Sequence, residues 1–100
     1  MFFNKSKPEP AVPDDGILYF YLSGCPYCRM ADQYMEELIA ENPAFAGIKI
    51  TKIEEREHAA LAHSYDYRLV PCLWFGGKKL HEGVPSKEQI KACLTAALDT

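Results

Sequence analysis

Six consecutive apolar and aromatic residues, ILYFYL at 17–22, stop at Ser23-Gly24, and a different pattern begins two residues later. A run of that length without polar alternation suits a strand covered on both faces. From Pro26 to about Glu41 the apolar residues Met30, Tyr34, Met35, Leu38 and Ile39 recur at helical spacing. Pro26 fits the first helical turn, where its missing N–H is harmless, and Asn42-Pro43 ends the pattern. A buried strand handing over to a helix is the first half of a β-α-β unit, which demands a parallel partner and a right-handed crossover.

The remaining segments supply that partner and more. Residues 48–53, IKITKI, alternate and predict a strand with one exposed face. Residues 54 to about 65 carry Ala59, Ala60, Leu61 and Ala62, with acids early and His63 late, as a helix prefers. Glu54-Glu55-Arg56-Glu57 reads as its charged start. CLWF at 72–75, Gly76-Gly77 and KKLHE at 78–82 read as two strands joined by a two-residue turn. Ser86 is a good N-cap, and Gln89 three residues later completes a capping box. Ile90, Cys93, Leu94, Ala97 and Leu98 then line one face of a closing helix. The predicted order is β-α-β-α-β-β-α. That is an α/β fold: a mixed four-stranded sheet with helices on both faces.

One hundred residues suit one domain with a core of its own. Residues 1–15 hold three prolines and no apolar period and are read as a flexible leader, leaving 16–100 as the folded domain. The formal charge of −3, with Lys and Arg scattered, offers no basic field for nucleic acid. No apolar run approaches the roughly 20 residues that span a bilayer, and the N-terminus lacks the apolar stretch of a signal peptide. These features predict a cytoplasmic protein. There, four cysteines point to catalysis or metal binding rather than to a disulfide framework.

Cys25 and Cys28 bracket Pro26-Tyr27 where the first strand meets the first helix. Cys25 falls at the helix N-terminus, where unpaired N–H groups and the helix dipole favour a thiolate. Arg29 adds a neighbouring positive charge. The thiolate is the nucleophile in disulfide exchange, and Cys28, one turn in, lies within reach to resolve the mixed disulfide that Cys25 forms. A structural zinc site would need four ligands, commonly a second close pair. Cys72, Cys93, His58, His63 and His81 are dispersed, so no metal site is predicted.

CPYC at 25–28, after a strand and opening a helix, resembles the active site of glutaredoxins and compact thioredoxins. AHSYDYRLVPCLWF, from residue 62, is similar to the helix, loop and strand of thioredoxins, and GVPSKEQIKACL, from residue 83, to their closing turn and last helix. The resemblance covers about residues 17–98. It implies thiol–disulfide oxidoreductase activity, with Cys25 attacking and Cys28 resolving. It also implies a cis Pro71 that shapes the substrate groove with Pro26, Tyr27 and Val70, and keeps metals off the pair. No dissociable cofactor is implied, because the redox group is the Cys25-Cys28 dithiol itself. Arg29 and Lys52 are the candidates for tuning the thiol pKa values. Lys52 matches a lysine that in thioredoxins neighbours a buried acid, and the acid's own position falls at Tyr19.

Glutathione-using glutaredoxins carry Thr-Val-Pro and a later glycine pair. This chain has Leu69-Val70-Pro71 and His81-Glu82-Gly83-Val84, and Glu82 would repel an anionic tripeptide. The expected electron donor is therefore a thioredoxin reductase rather than glutathione. The expected substrates are disulfide-containing proteins, met by a monomer with no nucleic-acid or membrane partner. Two other readings stand beside this one: a module holding an iron–sulfur cluster between two chains, and a non-catalytic interaction domain. Cys72 and Cys93 read as small buried hydrophobes. Trp74 and Phe75 read as core or sheet surface, and the three histidines as solvated.

Overall fold

The computed structural model describes Val12 and residues 15–98. Apart from Val12 and Asp15, the leader expected over residues 1–15 lies outside the described residues. Strand β1 (Ile17–Tyr21) leads to helix α1 (Pro26–Glu41), followed by a turn of 3-10 helix (Pro43–Gly47). Strand β2 (Ile50–Glu54), helix α2 (Ala59–His63), strands β3 (Cys72–Phe75) and β4 (Lys78–Glu82), and helix α3 (Lys87–Leu98) complete the chain. The sheet order is β2-β1-β3-β4. β1 runs parallel to β2, with Ile17 opposite Ile50, and antiparallel to β3, with Phe20 opposite Cys72. This is the mixed four-stranded sheet that the sequence predicts.

The continuous apolar run is explained by two cores. Successive side chains of a strand point to opposite faces. Ile17 and Tyr19 pack with Ala31, Met35 and Leu38 of α1 and Ile90 and Leu94 of α3. Leu18 and Phe20 pack with Ala62 of α2, Ile53 and Cys72. Phe20 is fully buried, stacked on Tyr67 at 4.8 Å and tilted against Tyr65 at 5.1 Å. Truncating such a ring costs about 4 kcal/mol, from lost transfer energy and the cavity left behind. The capping box forms as predicted: Gln89 N–H donates to Ser86 Oγ at 3.1 Å, and Ser86 N–H to Gln89 Oε1 at 3.0 Å. Gly76 and Gly77, both at positive φ, make the two-residue turn between β3 and β4.

Three expectations need correction. β2 begins at Ile50 rather than 48, and it does not leave one face open. Its alternation slips at Lys52-Ile53, so Ile50 packs toward the first core while Ile53 is buried in the second. The second helix is one short turn, not a segment from 54 to about 65. Glu54 instead ends β2, 4% exposed, and its carboxylate collects the N–H groups of Arg56 and Glu57. A carboxylate that satisfies two successive backbone donors stabilises a turn there and delays the helix to Ala59. Leu98 is exposed rather than part of the apolar face. No helix among the described residues is long and apolar enough to cross a membrane.

Candidate active site

A tight turn delivers Cys25 to the start of α1. Cys25 N–H donates to Leu22 O at 3.2 Å, and Gly24 at φ 84° takes the third position, where such a turn requires positive φ. Cys25 is the N-cap of α1, with extended backbone angles. Its carbonyl accepts the first helical hydrogen bond, from Arg29 N–H at 3.1 Å. The side chain is partly exposed. Partial burial is the largest single influence on its thiol and opposes ionisation. Hydrogen bonds from Cys28 N–H, the Cys28 thiol and Tyr27 N–H, with the charge of Arg29, outweigh it and bring the pKa below the ordinary thiol value. The helix-end donors anticipated from sequence are therefore those of Tyr27 and Cys28.

Cys28 sits in the opposite environment. It is 2% exposed, and burial, reinforced by the neighbouring Cys25 sulfur and by Asp32, pushes its thiol up to about 12 despite a hydrogen bond from Leu22 N–H. Its carbonyl accepts a 2.9 Å hydrogen bond from the buried Tyr19 hydroxyl. Asp32, four residues on and on the same helical face, bears on both Cys28 and the Tyr19 hydroxyl. Tyr19 is held above its ordinary pKa by burial first and by Asp32 second, so it stays a neutral donor. Lys52, expected either on an exposed face or as a tuner of the pair, binds Asp32 at 3.2 Å. Its ammonium also lies over the Tyr21 ring at 4.6 Å and the Tyr19 ring at 5.4 Å.

The peptide bond Val70-Pro71 is cis, as the resemblance implies. Because Cys72 pairs with Phe20, Val70 and Pro71 lie at the end of the sheet where β1 releases the Cys25 turn. Two glutamates hold the loops there. Glu54 Oε2 accepts from Ser23 N–H at 2.8 Å, fixing the turn before Cys25, and from the Arg56 guanidinium at 3.2 Å. Glu82 Oε2 accepts from Arg68 and Leu69 N–H at 2.5 and 2.9 Å, fixing the segment before Pro71. Gly83 N–H donates to Pro71 O at 3.0 Å. Gly83 needs its missing side chain: φ is 94°, and a Cβ would stand 3.3 Å from Leu69 Cδ1.

Tyr27, between the two cysteines, is 46% exposed, and Leu69 and Val84, close in sequence to Pro71 and Gly83, are each 60% exposed. A cavity of about 550 Å³ opens between Arg56 and Arg68, lined in part by Tyr65 and Tyr67. Arg56 Nη2 also reaches Ser23 O at 3.4 Å, which puts this cavity beside the Cys25 turn.

Of the residues singled out in the sequence, Cys25, Pro26, Tyr27, Cys28 and Arg29 lie together at the head of α1. Val70 and Pro71 lie at the same end of the sheet, and Lys52 approaches through Asp32. Cys72 and Cys93 are buried, with thiols pushed up by that burial to about 12 and about 11. His81 is half-buried rather than solvated, and its Nε2 donates to Gly83 O at 2.9 Å. Asp32, Glu54 and the anchoring role of Glu82 were not read from the sequence. Asp32 could have been, since its spacing from Cys28 puts both on one helical face. Among the described residues, no three His, Cys, Asp or Glu side chains are grouped to hold a metal ion.

The family model described as "Thioredoxin domain" matches residues 19–95. No curated protein matches the sequence. Among solved structures, a mutant thioredoxin from Halobacterium salinarum shares 24% identity over 87% of this chain and 80% of its own, with a TM-score of 0.62. A Malassezia sympodialis thioredoxin shares 21% over 85% and 76%, with a TM-score of 0.64. The germline-specific thioredoxin Deadhead of Drosophila melanogaster shares 17% over 83% and 82%, with a TM-score of 0.60. At these identities the likeness to solved structures is one of fold.

Proposed function

The chain belongs to the thioredoxin-domain family, and from that premise we propose that it is a thiol–disulfide oxidoreductase that reduces protein disulfides through Cys25 and Cys28. The observation that carries this reading is the division between the two thiols. One is partly exposed and held below the ordinary thiol pKa at a helix N-terminus; the other is buried and held far above it. A pair so arranged has a nucleophile and a protected reserve thiol.

In the forward direction the Cys25 thiolate attacks one sulfur of a substrate disulfide. A Cys25–substrate disulfide forms, and the other substrate sulfur leaves as a thiolate that takes a proton from water. Cys28 then gives up its proton and attacks the Cys25 sulfur. The Cys25-Cys28 disulfide forms, and the second substrate thiolate departs. Two electrons have moved from the protein dithiol to the substrate disulfide, and an external dithiol must return them. The redox group is the dithiol itself, with no dissociable cofactor.

The groove assignment follows the exposed surfaces. In this reading Pro26 and Tyr27, next to Cys25 in the chain, would form one wall of the groove, and Val70 and Pro71, with the exposed Leu69 and Val84, the other. An extended substrate segment would pair with the Val70 backbone as an added strand, its apolar side chains meeting Leu69 and Val84. Arg29 supplies charge to the thiolate, and Lys52 restrains Asp32. A flavoprotein reductase dithiol fits this groove as donor better than glutathione does, since the Arg68 and Leu69 N–H groups are already taken by Glu82. The protein would work in the cytoplasm as a monomer.

Reduction of an insulin-type disulfide with dithiothreitol as the electron source tests the reading. The wild-type chain should accelerate precipitation of the freed insulin chain, and Cys25→Ser should abolish that acceleration. Equal rates for wild type and Cys25→Ser would leave only an interaction domain.

A further inference from the structure

The Tyr19 hydroxyl carries one hydrogen and faces two acceptors. It donates to Cys28 O at 2.9 Å, and the Asp32 carboxylate is its other partner. The helix brings both to one place. Within α1 the Cys28 carbonyl also accepts the N–H of the residue four further on, which is Asp32. The strand hydroxyl and the helix amide therefore meet at one oxygen, and that oxygen keeps a donor when the hydroxyl turns away. Tyr19 and Cys28 are both buried, so the hydroxyl acts where water screens little. Lys52 grips the same carboxylate at 3.2 Å, but from a partly exposed position, where solvent weakens its charge.

We propose that Tyr19 is a positioning residue for the resolving step: its hydroxyl passes from the Cys28 carbonyl to the Asp32 carboxylate as Cys28 loses its proton, and so shields the emerging thiolate from that carboxylate. The proposal rests on the redox reading above and adds a regulator of its second step. Cys28 and Asp32 share a helical face, where like charges repel. A thiolate beside the carboxylate makes the carboxylate a better acceptor, which draws the hydroxyl across. In the step itself, the Cys28 proton goes to water and the Cys28 sulfur bonds to the Cys25 sulfur. The bond from Cys25 to the substrate breaks, and the substrate sulfur leaves as a thiolate. Tyr19 gives up no proton, since burial and Asp32 hold it above its ordinary pKa. The charged and titratable groups bearing on Cys28 are Cys25 and Asp32 of α1, with Tyr19 of β1 bonded to its carbonyl, Lys52 of β2 behind Asp32 and Arg29 acting on Cys25.

The test uses dithiobis(nitrobenzoate). Attack by Cys25 releases one thionitrobenzoate, and attack by Cys28 on the mixed disulfide releases the second; stopped-flow absorbance follows both. Tyr19→Phe should slow the second release about threefold, displacing the curve of rate against pH upward by about half a unit, and leave the first unchanged. In an Asp32→Asn background no carboxylate remains to be shielded, so adding Tyr19→Phe should leave the second release as it was. Equal slowing in both backgrounds would mean that the hydroxyl only braces the helix and would overturn the proposal. So would no slowing, or acceleration, in the wild-type background.

A second readout needs no disulfide. In Cys25→Ser, alkylation of Cys28 by iodoacetamide, located by peptide mass, follows its thiolate fraction. It should fall about threefold on adding Tyr19→Phe and stay level when Asp32→Asn is present as well. A loosened helix would expose Cys28 and raise the rate, the opposite sign. If the wild type yields no second thionitrobenzoate, the redox reading fails, and the alkylation series still decides the proposal about Tyr19.

Discussion

The Tyr19 hydroxyl, in the middle of β1, donates a 2.9 Å hydrogen bond to the Cys28 carbonyl in the first turns of α1. The contact ties the strand to the helix that Cys25 caps and Cys28 enters, from a fully buried side chain. Tyr19→Phe keeps the buried ring and deletes only the donor. It should lower unfolding free energy by about 1 kcal/mol, the net worth of one hydrogen bond, in a urea titration. Cys25 alkylation should hardly change, because none of the donors to its thiolate is touched.

Asp32 gives a prediction whose sign is decisive. Its negative charge helps hold the Cys28 thiol up, so its field would oppose the thiolate that the proposed resolving step needs. Asp32→Asn should lower the Cys28 pKa and shorten the life of a mixed disulfide at Cys25, by a factor of about two to five if the removed interaction is about 0.5–1 kcal/mol. Stopped-flow release of a thionitrobenzoate leaving group reads the step. A slower release in Asp32→Asn would mean that the carboxylate takes the Cys28 proton, the opposite role.

Glu54 links folding to acid. Burial alone would raise its pKa, but hydrogen bonds from Ser23 and Arg56 N–H, the Arg56 guanidinium and Glu57 N–H bring the carboxyl to about 2, against an ordinary value of 4.5. A depressed folded-state pKa means stability that is complete above the unfolded value and is lost as pH falls from about 4.5 through about 2. Glu82 acts in the same direction over the same window. Glu54→Ala should cost about 2 kcal/mol at neutral pH, the range for hydrogen bonds to a charged group. It should also flatten the acid limb of stability against pH, followed by circular dichroism. An unchanged acid limb would show that the carboxylate contacts carry no linkage.

Redox poise follows from the same electrostatics. Contacts that stabilise the Cys25 thiolate stabilise the reduced form, which makes the disulfide a better oxidant. The potential should therefore be less negative than the about −270 mV of thioredoxin, toward the roughly −200 to −230 mV of glutaredoxins. Equilibration in glutathione buffers, with the oxidised fraction read by mass, measures it. A value well below the thioredoxin figure would contradict the thiolate argument.

The frame of this site was legible because it is written in local patterns. The ILYFYL run needed two covering layers. Pro26 marked the first helical turn, Gly76-Gly77 the hairpin, and Ser86 with Gln89 the last helix start. What escaped depended on side chains meeting across the fold. IKITKI hid a phase slip, because Lys52 stands where alternation calls for an apolar residue and turns toward Asp32 instead. Glu54 looked like one acid in a charged helix start, and only its burial beneath the Ser23 turn shows why the helix waits until Ala59. Glu82 looked like a negative charge facing solvent, yet its carboxylate is spoken for by the loop before Pro71. Carboxylate roles are set by partners distant in sequence, so spacing alone does not reveal them.

Trapping the first intermediate tests the central claim, that Cys25 attacks and Cys28 resolves. Cys28→Ser, incubated with a disulfide-containing protein at neutral pH, keeps the nucleophile and lacks the thiol that would release the product. Peptide mass spectrometry under non-reducing conditions should find one mixed disulfide, at Cys25, accumulating in Cys28→Ser and absent from Cys25→Ser. An adduct at Cys72 or Cys93, or an equal yield from Cys25→Ser, would contradict the assignment.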